Sequence, residues 1–194
     1  MKNFCIRLDY ISRNKIKYQD TSTRTDEYQN DVYKYAHEIA FKYNLINIAD
    51  IGCGSGYKLL KYFDNFKTIG FDLKLTVDLL NQKYPDRIWK VSNFEESVGV
   101  FDMVICADVI EHVLNPNDLL SWIKSMQAQH IIISTPERDS LVRKGKRTLL
   151  GPPENNLHIR EWNFKEFKKY VGSYFNIIEH KIIEREDCQL IYCK

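Results

Sequence analysis

Five short apolar runs follow one another along the middle of the chain: INIADI at 46–51, TIGFDL at 68–73, IWKVS at 88–92, FDMVICA at 101–107 and HIIIS at 130–134. Stretches of helical length separate them, with helices expected near 57–64, 75–83 and 117–127. Near-continuous Ile and Val means that both faces of a strand are covered. Strands alternating with helices then give a parallel sheet clothed on both sides. Upstream, Val32, Tyr33, Ala36, Ile39, Ala40 and Tyr43 recur at three- and four-residue spacing, so an amphipathic helix is expected over 26–43. Downstream, a helix over 163–171 precedes SYFNIIEHKII and QLIYC, which the polar EREDC joins. That link is too short for a parallel crossover, so the last two strands form an antiparallel hairpin. The expected fold class is α/β and Rossmann-like, and 194 residues suit a single domain over 1–194.

The eight glycines are unevenly placed: Gly52, Gly54 and Gly56 fall within five residues, in the stretch ADIGCGSGYKLL that leads from the first strand into a helix. In an open α/β sheet this turn lies at the carboxyl edge, where ligands bind, and glycine lets the backbone approach them closely. Asp72 ends the next strand, 20 residues after Gly52, where a carboxylate can accept from both hydroxyls of a ribose. A dinucleotide fingerprint wants glycine at the sixth position, and Tyr57 stands there. The GxGxG led by Asp50 therefore fits an adenosyl amino acid better than a pyrophosphate, which counts against a nicotinamide-dependent oxidoreductase.

Composition narrows the partners. Lys plus Arg number 28 against 26 Asp plus Glu, a net charge of +2, so no basic field advertises DNA or RNA. The five cysteines, at 5, 53, 106, 188 and 193, are scattered without a CxxC pair, so reduced thiols and a cytoplasmic location are expected. No apolar stretch approaches the roughly 20 residues of a membrane span, and no membrane insertion is expected.

With these residues in place, almost the whole chain resembles the class I S-adenosylmethionine-dependent methyltransferases. ADIGCGSG is similar to their first motif, GFDLK to the acidic second, VSNFEE to the third and FDMVICADVIEHVLNP to the fourth. The resemblance implies a seven-stranded, mostly parallel sheet with the last strand inserted antiparallel, S-adenosylmethionine as cofactor and S-adenosylhomocysteine as product. It also implies a cofactor site built from Gln29, Asp50, Gly52, Cys53, Gly54, Gly56, Asp72, Leu73, Asn93, Phe94, Cys106 and Ala107. Gly52, Cys53 and Gly54 would pass beneath the methionine part, and Asp72 would hold the ribose. Asn93 stands where the family carries an acid for the adenine amino group; its carbonyl oxygen can accept that bond, and Phe94 could pack on the ring.

A hydroxyl is a poor nucleophile at neutral pH and needs a base or a metal to attack a sulfonium methyl. Asp108, Glu111 and His112 lie at i, i+3 and i+4, on one face if the turn after the fourth strand is helical. His158, in GPPENNLHIREW, borders the same pocket in this fold. The pattern D-x-x-E-H with a later H-x-x-EW is similar to the divalent-metal site of the small-RNA terminal 2′-O-methyltransferases, which show E-x-x-E-H. By that resemblance Asp108, Glu111, His112 and His158 would hold Mg²⁺ or Mn²⁺. Two other readings stand beside it: a turn in which Glu and His merely cap or pair, and a metal-free site in which His112, His158 and Glu111 act on the acceptor directly.

Residues 135–160 form a long connection with three of the five prolines and six basic residues, Arg138, Arg143, Lys144, Lys146, Arg147 and Arg160, against three acidic ones. Its RKGKR is either a solvated loop or a contact for a phosphate-bearing acceptor. DEYQNDVYKYA, STPERD and GPPENNLHIREW are similar to small bacterial methyltransferases associated with surface-polysaccharide biosynthesis. That likeness implies Tyr28 and Gln29 near the cofactor, residues 1–25 as a lid, and a hydroxyl of a sugar, nucleotide-sugar or glycan intermediate as acceptor. An RNA ribose 2′-hydroxyl, a small-molecule amine and a phenol are the alternatives.

Overall fold

Each central strand carries side chains that alternate between two apolar layers, and this alternation builds the molecule. The computed structural model describes residues 3–21, 23–25, 28–95, 99–145 and 148–194. Its elements in chain order are α1 (Asn30–Lys42), β1 (Asn47–Ile51), α2 (Tyr57–Phe63), β2 (Lys67–Asp72), α3 (Lys74–Lys83), β3 (Ile88–Val91), β4 (Met103–Ala107), α4 (Pro116–Ser125), β5 (His130–Pro136), α5 (Arg138–Arg143), α6 (Phe164–Val171), β6 (Ile177–Ile183) and β7 (Cys188–Cys193). The strands form one seven-stranded sheet in the order β3-β2-β1-β4-β5-β7-β6. β1 to β5 pair in parallel, and β7 runs antiparallel between β5 and β6. The chain leaves β1 toward β2 on one side and reaches β4 on the other, so the switch point lies between β1 and β4.

Ile131 and Ile133 face one layer with α4 and α6, while Ile132 faces the other with α1, α2 and α3. On the first side Trp122, Phe167 and Tyr170 pack on Ala49, Ile51, Val104 and Cys106. On the second, Val32, Tyr33, Ala36, Leu59 and Leu80 pack on Ile48, Met103 and Ile105. Two-sided burial is why these strands read as unbroken apolar runs rather than alternating ones.

The expected elements are present, with boundary differences that have local causes. α1 starts at Asn30 because Gln29 adopts a left-handed φ of 64°; Asp26 and Glu27, where the helix was expected to begin, lie outside the described residues. The long connection is partly regular. β5 extends to Pro136, and Glu137 then accepts hydrogen bonds from Asp139 N (3.2 Å) and Ser140 N (2.6 Å), which starts α5. Of the segment SYFNIIEHKII only Ile177–Ile183 is strand. α6 begins with a reciprocal capping box between Asn163 and Glu166. None of the described helices is long and apolar enough to cross a membrane.

Gly70, in the middle of β2, was not singled out by sequence reasoning. A Cβ there would lie 2.5 Å from the Trp89 ring and 2.9 Å from Cys53 Sγ, so the glycine lets Trp89 close over the glycine-rich turn. Gly70→Ala is expected to destabilise the protein by about 1–3 kcal/mol through overpacking. Urea unfolding followed by tryptophan fluorescence measures it; an unchanged midpoint would mean that Trp89 is free to move.

Candidate active site

A cleft of about 500 Å³ opens at the carboxyl edge of the sheet, over the switch point. Gly52, Cys53, Gly54 and Ser55 floor it on one side and Ala107, Asp108 and Val109 on the other. The floor needs glycine. Gly52 has φ +71°, and a Cβ on it would sit 2.3 Å from Val109 Cγ2, so the turns after β1 and β4 interlock only without a side chain there. Gly54 N donates to Asp72 Oδ2 (2.8 Å) and Leu73 N to Asp72 Oδ1 (2.7 Å). The carboxylate's remaining acceptor capacity is shared between the Thr76 side chain and a ligand hydroxyl. Burial pushes the Asp72 carboxyl up, and these two backbone donors oppose it.

Asp50 does not line the cleft. It is fully buried, both its oxygens accept from Tyr33 OH (2.9 and 3.0 Å), and burial pushes its pKa up to about 7. Tyr33 does line the cleft, so Asp50 is joined to it only through that hydroxyl. Cys106 and Gly56 also lie outside the lining, whereas Gln29, Leu73, Phe94 and Ala107 belong to it. Gln29 Nε2 donates to Ala107 O (3.0 Å), which ties the start of α1 to the end of β4. Asn93 departs from expectation. It is exposed, its Oδ1 accepts from Glu95 N (3.2 Å), and Ser92 and Phe94 line the cleft in its place. Glu96, the last residue of that motif, lies outside the described residues.

Sequence reasoning assigned no particular cleft residue to the stretch before Tyr28. Ile16, Lys17, Tyr18, Thr21 and Arg24 form one wall. Ser55 Oγ donates to the Arg24 carbonyl, and the Tyr18 and Thr76 hydroxyls pair at 2.9 Å. The same segment is tied to the chain around His158: Ile11 N donates to Leu150 O (2.7 Å), Arg13 N to Ile159 O (2.8 Å) and Glu161 N to Tyr10 OH (3.0 Å).

At the far end of the cleft the acidic-histidine turn is 3₁₀ over Ile110–His112 rather than α-helical from Asp108. Glu111 Oε2 accepts from Thr135 Oγ1 (3.0 Å), while Oε1 is buried and makes no hydrogen bond among the described residues. Burial and the nearby Asp108 charge hold the Glu111 carboxyl well above the usual range. The His112 ring must carry its proton on Nδ1, which donates to Leu157 O (3.0 Å), and burial keeps the ring neutral by lowering its pKa. His158 Nδ1 lies 2.6 Å from Glu161 Oε1, and Asn155 Nδ2 lies 2.9 Å from its Nε2. This pattern assigns the proton to Nδ1 and a lone pair to Nε2. The two rings meet edge to face with centroids 4.9 Å apart. Glu111, His112 and His158 each offer a ligand atom, and the three atoms lie within 4.8 Å of one another.

Asp108, expected as a fourth ligand, does not join them. It sits outside the 3₁₀ turn with a left-handed φ of 52°, and its Oδ1 accepts from Ser134 Oγ (2.5 Å). Glu161, which orients His158, was visible beforehand only as the fourth residue of H-x-x-EW. The basic loop is also altered. Arg138 is buried against Glu166 (2.8 Å), Arg143 donates to Ser140 Oγ (2.7 Å), Lys144 pairs with Asp187, and Arg160 donates to Val113 O (2.6 Å) and Leu114 O (2.8 Å). Lys146 and Arg147 lie outside the described residues.

Residues 23–177 match a family described as a methyltransferase domain. The chain belongs to that family and is an S-adenosylmethionine-dependent methyltransferase of the Rossmann-like class. Its structure is similar to that of magnesium protoporphyrin IX methyltransferase from Synechocystis PCC 6803 with bound S-adenosylhomocysteine, at 18% identity over 93% of this chain and 89% of that one, TM-score 0.67. It is also similar to the methyltransferase domain of bacterial CtHen1-C (20% identity, 84% of this chain and 95% of that one, TM-score 0.59). A third similar structure is the N-methyltransferase NodS from Bradyrhizobium japonicum WM9 (13% identity, 84% and 96%, TM-score 0.52). At these identities the likeness is one of fold. No curated protein matches the sequence.

Gly52→Ala should weaken S-adenosylhomocysteine binding at least tenfold, about 1.4 kcal/mol, because Val109 must move. Titration calorimetry measures this; wild-type affinity would mean that the two turns do not interlock as described.

Proposed function

We propose that the enzyme transfers the methyl group of S-adenosylmethionine to a hydroxyl of a sugar or glycan acceptor, and that Glu111, His112 and His158 orient that hydroxyl. The observation that carries this reading is the convergence of three ligand atoms within 4.8 Å at one end of the cofactor cleft. Gly52, Cys53 and Gly54 would pass beneath the methionine part, Asp72 would accept from the ribose hydroxyls, and Phe94 would pack on the adenine. Residues 1–25 would act as the lid over this cofactor. The likeness to small bacterial methyltransferases associated with surface polysaccharides supports a sugar acceptor.

The three donors suit a divalent cation. Glu111 Oε1 is buried without a hydrogen bond among the described residues, and each imidazole has an acceptor against Nδ1, which leaves its Nε2 lone pair to accept; at His158 that lone pair takes Asn155 Nδ2 (2.9 Å), which an ion would displace. One carboxylate with two imidazoles fits Mn²⁺ and, less closely, Mg²⁺. Such an ion would supply Lewis acidity that lowers the pKa of a bound hydroxyl. In the transfer itself the C–O bond forms as the C–S⁺ bond breaks in line, so the chain's task is alignment and removal of one proton. One observation favours a second, metal-free reading: the short His158–Glu161 contact makes His158 a carboxylate-backed base, with Nε2 as the proton's destination once the acceptor takes the place of Asn155 Nδ2 there.

Dialysis against a chelator, followed by Mn²⁺ or Mg²⁺, separates the two. The metal reading expects methyl transfer to be lost and restored while S-adenosylhomocysteine binding persists; full activity after chelation leaves the base reading. Glu161→Gln should lower activity roughly 10–100-fold on either reading, and unchanged turnover of both Glu161→Gln and His158→Ala would sink the site. Removing residues 1–20 is expected to weaken S-adenosylhomocysteine binding at least tenfold, about 1.4 kcal/mol; a truncated enzyme with wild-type affinity and turnover would refute the lid.

A further inference from the structure

Between residues 7 and 20 the chain has no helix or strand and no buried residue, and only Tyr10 and Arg13 are half-buried. Such a segment buries too little apolar surface to hold its own conformation, so its order depends on a few anchors. At one end Tyr10 OH accepts from Glu161 N (3.0 Å), Arg13 N donates to Ile159 O (2.8 Å), and the Arg13 guanidinium donates to the Pro153 carbonyl. These partners lie on both sides of His158 in the chain, and Glu161 supplies the carboxylate that meets His158 Nδ1 at 2.6 Å. A Cβ on Gly151 would stand 2.5 Å from Ile11 O and 3.0 Å from the Tyr10 ring, so the two stretches are closely seated. At the other end Tyr18 OH pairs with Thr76 Oγ1 (2.9 Å), and the Thr76 side chain hydrogen-bonds to Asp72, the carboxylate proposed for the ribose.

We infer that residues 10–18 couple the two ends of the cleft, with Tyr10 and Arg13 as positioning residues that hold His158 in place and Tyr18 as the anchor that a bound cofactor secures. Tyr10 and Arg13 do not line the cleft, whereas Ile16, Tyr18 and Thr21 do. A cofactor held against those three orders the far half of the segment, and less entropy is then lost in ordering the near half. Binding at one end therefore favours the arrangement at the other, and by linkage the reverse also holds. The inference rests on the proposed lid and on His158 acting on the acceptor, and it names the residues through which the one serves the other.

The test uses the full chain, S-adenosylhomocysteine and two substitutions outside the cleft, Tyr10→Phe and Arg13→Ala. Calorimetric titration should show the doubly substituted chain binding S-adenosylhomocysteine roughly fivefold or more weakly, with Arg13→Lys in place of Arg13→Ala recovering part of the loss. In the wild-type chain the ligand should slow amide hydrogen exchange over 150–161; in the double variant it should still protect the glycine-rich turn but leave 150–161 exchanging as fast as without ligand. Histidine-ring ¹⁵N spectra supply a readout that a merely structural role would not move. The ligand should hold His158 in its Nδ1–H form in the wild-type chain, and a mixture of tautomers should appear in Tyr10→Phe. That single variant keeps the ring and its packing, and it carries every readout if the double substitution unfolds. With Tyr18→Phe already in place, the double substitution should cost no further affinity. Wild-type affinity in the double variant, protection of 150–161 that survives it, an unchanged His158 ring, or fully additive losses with Tyr18→Phe would each overturn the inference. None of these measurements needs an acceptor, which keeps the proposals apart. Wild-type turnover of His158→Ala defeats the role of His158 and leaves the coupling; a 1–20 truncation that loses affinity while the double variant keeps it leaves the lid and removes the coupling.

Discussion

The carboxylate of Glu111, sealed beneath the turn that follows β4, is the constraint around which the active end of the molecule is organised. Its Oε2 is gripped by Thr135 at the end of β5, and its backbone carbonyl accepts from Ile159 N (2.7 Å) and Arg160 N (3.4 Å). One residue therefore joins β4, β5 and the chain around His158. Arg160 strengthens the same junction through the Val113 and Leu114 carbonyls, at the cost of a guanidinium pKa lowered by burial to about 10. Burying a carboxylate with one oxygen unsatisfied is unfavourable for folding. Its retention at the meeting point of two histidines is the kind of local inconsistency that marks functional sites.

Most of the architecture was legible because the strands are buried on both faces, so that their apolar runs stand out against helical stretches. The glycine cluster was equally legible, since its demand for positive φ and close approach is a backbone requirement that few residues meet. What stayed hidden depended on where hydrogen bonds go. Asn93 spends its carbonyl on the local Glu95 amide, and Arg138 and Arg160 of the supposed basic loop spend their donors on internal partners. A charge count along the sequence registers these groups without showing whether each is already engaged.

Asp108, Glu111 and His112 illustrate the same limit at finer scale. Their spacing is right for one face of an α-helix, but the turn is 3₁₀ and Asp108 falls before it in a left-handed conformation. Motif spacing placed the residues in the right region and left their division of labour undetermined. The His158–Glu161 pair, three residues apart in a non-helical segment, and the Tyr33–Asp50 pair beneath the cleft floor come together through tertiary packing rather than periodicity.

The insertion of β7 between β5 and β6 affects how the molecule is assembled. β5 contributes His130–Pro136 to the middle of the sheet, but the strand that covers its far edge is Cys188–Cys193, more than fifty residues later. During synthesis an Ile-rich edge stays unpaired until that segment has been made, and exposed edges of this kind invite pairing with other chains. The cavity whose wall includes Glu186 and Asp187 is thus completed among the last steps of folding, so an incomplete chain would hold the glycine-rich turn without that neighbouring wall.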